Sequence, residues 1–67
     1  MKARANGVAG QLGFRRVDFV RVVIDGDHRT YEVHGVAHRL PVVRRAPGAT
    51  VSALAAQGVP VVIREAS

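Results

Sequence analysis

An α+β domain (α/β in the wider sense), built on a small mixed sheet of about four strands, follows from three features of this 67-residue chain. A β-hairpin is written into Val17–His34 by apolar residues alternating on both sides of a turn. A near-repeat then sets Pro41-Val42-Val43-Arg44-Arg45-Ala46 and Pro60-Val61-Val62-Ile63-Arg64-Glu65-Ala66 on either side of a short helical stretch, Thr50–Gln57. Two Val-rich strands flanking a helix predict a β-α-β unit whose strands lie side by side and parallel. Unbroken pairs such as Val42-Val43 and Val61-Val62 suit strands buried on both faces, as parallel strands usually are.

Residues 1–16 read as a flexible basic arm. Gly7, Gly10 and Gly13 recur there among Ala, Asn and Gln, and each Gly weakens a helix by roughly 1 kcal/mol. Residues 17–67 form the single β-β-(β)-β-α-β domain. Val17–Ile24 is its first strand, and His28–His34 returns across Asp25-Gly26-Asp27-His28. A loop of these residues sets Ile24 opposite Arg29, Val22 opposite Tyr31 and Val20 opposite Val33, so the apolar pairs share a face. Arg21–Glu32, Val23–Thr30 and Phe19–His34 then share the other face. A loop one residue shorter would mix the faces, which disfavours it.

Gly35 marks a bulge or tight bend. Val36–Leu40 continues the second strand or opens a third. Pro41 has no N–H and belongs at a strand start or an edge. After Val42–Arg45, the chain turns at Ala46-Pro47-Gly48-Ala49. Thr50 is the expected N-cap of a two-turn helix with Val51, Leu54 and Ala55 as its apolar stripe. Gly58 suits the left-handed position that ends a helix. Val59–Glu65 is the last strand.

The formal charge is +5, and nine of the ten basic residues are arginine. Such arginine use, with abundant Ala, Gly and Val, is also what a GC-rich bacterial genome produces. Lys2, Arg4, Arg15 and Arg16 stand together without an acid, and Arg39, Arg44 and Arg45 form a second basic segment. These seven are the candidate contacts to an anion or nucleic acid. Thr50–Ala53, as a helix N-terminus beside Arg44 and Arg45, is the best anion site on offer.

Catalytic and metal chemistry find little support. His28, Glu32, His34 and His38 share strand parity but are spread along the chain and interrupted at Gly35, so no metal is expected. Asp25-Gly26-Asp27 lacks the further oxygen ligands and terminal Glu of a calcium loop. Ser52 and Ser67 have no base at motif spacing. No cofactor is expected, and no catalytic residue is assigned. With no Cys, no apolar leader and no stretch long enough to span a bilayer, a cytoplasmic protein without a membrane partner is the expectation.

One short helix cannot cover both faces of the sheet, so something else must. The sequence therefore points to a non-enzymatic interaction module, a homo-oligomer or an accessory subunit of a larger bacterial complex, its partner being itself or a larger protein. Phe19, Val23, Val42, Val43, Val61, Val62 and Ile63 are the interface candidates. The alternative is a basic protein that binds nucleic acid without sequence preference, weakened by the lack of stacking aromatics on a basic strand. A small enzyme, or a subunit lining another protein's active site, ranks below both.

Overall fold

A computed structural model of the chain describes residues 13–66. Its elements run β1 (Arg16–Asp25), β2 (His28–Ala37), β3 (Leu40–Arg45), α1 (Gly48–Ala56) and β4 (Val61–Glu65). They form one four-stranded mixed sheet in the order β3-β2-β1-β4 with α1 on one face. The small α+β architecture is the expected one. Among the described residues, no helix is long and apolar enough to cross a membrane.

The β1–β2 hairpin has the register that side-chain chemistry demands: Ile24 pairs with Arg29, Val22 with Tyr31, Val20 with Val33, Arg21 with Glu32, Val23 with Thr30 and Phe19 with His34. Asp25 and His28 also pair, so only Gly26 and Asp27 form the tip. Gly26 has φ +60°, which suits the first central residue of a II′ turn and the twist of the strands. Val20 and Val33 are fully buried beneath Leu54 of α1, with Phe14, Val51 and Val59 completing the core. Burying a side chain of this kind contributes roughly 2 kcal/mol.

Gly35 explains how Phe14 reaches that core. The chain entering β1 crosses so close to Gly35 that a Cβ there would lie 2.1 Å from the Arg16 carbonyl oxygen and 2.8 Å from the Phe14 ring. The β1 register shifts between Val17 and Phe19, opposite this glycine, so the bulge places its extra residue, Asp18, on β1. The Arg15 N–H donates to the Val36 carbonyl at 2.7 Å. Phe14, Arg15 and Arg16, ahead of the expected strand start at Val17, therefore take part in the fold. Lys2, Arg4 and the rest of residues 1–12 lie outside the described residues.

The neighbours of β3 and β4 differ from expectation. They run in the same direction but are not side by side: β3 pairs antiparallel with β2, and β4 pairs parallel with β1. The cause is a second hairpin, with Ala37 opposite Leu40 around His38 and Arg39. Both turn residues have positive φ, 52° and 68°, the backbone of a I′ turn that ordinarily selects Asn and Gly. Once β3 is paired to β2, α1 must cross the two central strands and deliver β4 to the far edge. Pro41 does sit on an edge strand, as its missing N–H requires.

The helix begins earlier than expected. Pro47, not Thr50, is the N-cap, and its carbonyl accepts from the N–H groups of Thr50 and Val51 at 3.0 and 3.2 Å. Gly48 brings this first turn against the Tyr31 ring. Val51 and Leu54 are buried, but Ala55 is exposed, so the apolar stripe is narrower than expected. At the other end Gly58 adopts φ +95°. Its N–H donates to Ala55 O at 3.0 Å, and that of Val59 to Leu54 O at 3.1 Å. This is a Schellman ending, with Val59 and Leu54 meeting in the core. The last strand proper begins at Val61, two residues later than expected.

Replacing Gly35 by Ala should cost about 3 kcal/mol or more, because backbone rather than a movable side chain blocks the added methyl. Urea unfolding measures this; a loss below about 1 kcal/mol would contradict so close an approach.

Candidate interaction surface

Strand register assigns each candidate residue to a face, because directly opposed residues point the same way. The helix-side face carries Val20, Val22, Tyr31 and Val33, together with Val42 and Arg44 from β3 and Val61 and Ile63 from β4. The opposite, outer face carries Phe19, Arg21 and Val23 from β1 and Thr30, Glu32 and His34 from β2. Val43 and Arg45 from β3 and Val62 and Arg64 from β4 complete it. The interface candidates are thus divided. Phe19, Val23, Val43 and Val62 share the outer face, Val42 packs against the core, and Val61 and Ile63 lie on the helix side.

At the centre of the outer face, Phe19 and His34 stack across strands with ring centroids 4.4 Å apart and planes 13° from parallel. The Arg21 guanidinium carbon lies 5.6 Å from the Phe19 centroid, within cation–π range. His34 Nε2 and Glu32 Oε1 are 3.1 Å apart, in a partly buried hydrogen bond. Arg21, Phe19, His34 and Glu32 therefore form a connected patch in which the Phe19 ring is already engaged on both β1 and β2. This suits a fixed contact surface better than a platform for stacking bases.

The exposed large hydrophobic side chains among the described residues are Leu40 and Val43 on β3 and Val61, Val62 and Ile63 on β4. All stand on the two edge strands. Ile63 is the most exposed, at 66%, and Val43 reaches 55%. The expectation that β3 and β4 are buried on both faces is therefore overturned: every residue of β4 is exposed. The reason is position: among the described residues one central helix packs on the sheet, and a strand at the margin lies beyond its cover.

The basic candidates also separate. Arg15, Arg16 and Arg39 gather at the end of the sheet where β1 begins and the β2–β3 turn lies. Arg16 Nε donates to Asp18 Oδ1 at 2.7 Å, and that bond, with the aspartate charge, raises the Arg16 pKa further above its ordinary value. Arg44 and Arg45 occupy adjacent strand positions and so point to opposite faces. They do not converge on the helix N-terminus, and the expected anion site is not assembled; Arg44 instead reaches toward Gly13. His28 opens β2, His34 lies within it and His38 stands in the turn after it, and among the described residues they do not gather into a group that could hold a metal. Leu40 escaped the sequence reading because the His38-Arg39 turn carries neither Gly nor Asn to announce a hairpin.

Comparison of the chain with protein-family models, with curated proteins and with solved structures returned no match.

If the Phe19–His34 stack holds the outer face together, a double-mutant cycle with Phe19→Ala and His34→Ala should return a coupling of about 0.5–1.5 kcal/mol. Additive losses in urea unfolding would mean that the rings merely sit side by side.

Proposed function

We propose that the protein is a non-enzymatic, cytoplasmic interaction module, working as a homo-oligomer or as an accessory subunit of a larger assembly. The observation that supports this reading is that, among the described residues, the exposed large apolar side chains are confined to β3 and β4, flanking a central outer patch that is already ordered. Exposed apolar side chains along both margins of one sheet offer a contact surface. Aromatic and arginine side chains at its centre, here Phe19 and Arg21, are the residue types that dominate binding energy at interfaces. The patch also offers a histidine–carboxylate pair, but its immediate neighbours are Phe19, Arg21 and Val43 rather than a nucleophile, so binding is the chemistry it supports.

The reading requires the edge residues to serve contact and not stability. Val43→Ser and Val62→Ser should each leave the unfolding free energy of the dilute protein within about 0.5 kcal/mol of the original. A loss of about 2 kcal/mol or more, the scale of a core truncation, would assign them to the fold and remove the reading.

A second reading, nucleic-acid contact without sequence preference, draws on the clustering of Arg15, Arg16 and Arg39 at one end of the sheet. Three phosphate contacts to a single-stranded oligonucleotide predict a slope near −2 in a plot of log affinity against log salt, at about −0.7 per contact. A flat salt response would eliminate it.

A further inference from the structure

We propose that β4 is the pairing edge of this sheet and that its occupant is β4 of a second copy, aligned antiparallel with Ile63 opposite Ile63 of the partner subunit. The inference rests on the interaction-module reading and names the partner.

Among the described residues β3 and β4 are the two edges of the sheet, and backbone direction distinguishes them. On β4, Pro60 O accepts from the Val20 N–H at 2.9 Å, and the Ala66 N–H donates to Ile24 O at 2.8 Å. Even-numbered residues therefore face β1, and the N–H and C=O groups of Val61, Ile63 and Glu65 point out of the sheet. On β3, the Ala46 N–H donates to Tyr31 O at 3.1 Å, so even-numbered residues again face inward and Pro41, Val43 and Arg45 face out. Pro41 has no N–H to offer there, which blunts β3. Pro60 turns its imide nitrogen toward β1 and leaves the β4 edge intact. The two prolines of the near-repeat thus act oppositely, closing one edge and sparing the other.

What satisfies donors and acceptors at every second residue is another strand. A second copy fits because β4 complements itself. Outward residues must pair with outward residues, which fixes the helices of both copies on the same side of one continuous sheet. Among the registers this allows, Ile63 opposite Ile63 of the partner subunit uses all three outward positions. It places the most exposed apolar side chain against its own copy. Val61 then lies opposite Glu65 of the partner subunit, and Val62 opposite Arg64 of the partner subunit, so no like charges are directly opposed. A slip by one step toward the C-terminus sets Arg64 against Arg64 of the partner subunit. A slip the other way brings in Pro60 and leaves the Glu65 backbone unpaired.

Sedimentation velocity on the full 67-residue chain, across micromolar to millimolar concentration, tests the pairing. The original protein should reach twice its 7.2 kDa chain mass. Ile63→Lys opposes two ammonium groups at the symmetry axis and should weaken the dimer at least about tenfold. Val61→Lys sets its ammonium against Glu65 of the partner subunit and should preserve or tighten it. Ile63→Pro, which removes one outward N–H without touching the bonds to β1, should give a folded monomer by circular dichroism. A protein that stays monomeric throughout overturns the inference, as does equal weakening by the two lysine variants or a dimer that survives Ile63→Pro. A monomeric result leaves the interaction-module reading standing or falling on Val43 and Val62 alone.

Discussion

Among the described residues, a nine-residue helix is the one helix that closes the core of a four-stranded sheet, and that constraint organises them. Such a helix is about 14 Å long and about 10 Å across, while strands lie about 4.8 Å apart. Whichever way it lies, it covers the middle of the sheet and little more. Its two buried side chains, Val51 and Leu54, meet Val20 and Val33 on the central strands. Phe14 is brought in over Gly35 from outside the sheet, and Val59 is turned back under the helix by its Schellman ending. Val17, Tyr31, Val42 and Ala46, packed against this cluster, are partly buried. The exposed large apolar side chains among the described residues stand beyond its reach, on β3 and β4.

The sequence exposed the central hairpin most clearly, and the reason is physical. A strand with one buried face permits a single register, since a one-residue slip would exchange core and solvent faces. Val20, Val22, Tyr31 and Val33 suffice to identify it. The β2–β3 hairpin was hidden because its turn residues, His38 and Arg39, adopt positive φ without being the types that usually do so. Missing that turn made β3 and β4 seem adjacent. It also made their valine runs seem doubly buried, when each run places one side chain on either face of a margin strand. The early start of α1 was hidden for a related reason: Pro47 opens it without any side-chain cap, so no hydroxyl or carboxylate marks its N-terminus in the sequence.

Of the candidate contact residues, alternation foretold the pairing of Phe19 with His34 and of Arg21 with Glu32 on one face. It did not foretell that Arg44 and Arg45, neighbours in sequence, would diverge, although the same two-residue period implies it once β3 is a strand. Nor could composition separate the roles of Pro41 and Pro60. That difference depends on which side of each strand is already bonded, and so on the sheet order. The proposed self-pairing follows from the same sheet order, because it places β4 at a margin with its outward N–H groups intact.

Residue-resolved amide hydrogen exchange, followed as a function of protein concentration, tests most directly whether β4 completes its hydrogen bonding outside the chain. The account predicts that the amides of Val62 and Arg64, which face β1, are protected at every concentration, while those of Val61, Ile63 and Glu65 gain protection only as the protein associates. Unchanged, fast exchange at those three positions in concentrated protein would contradict it.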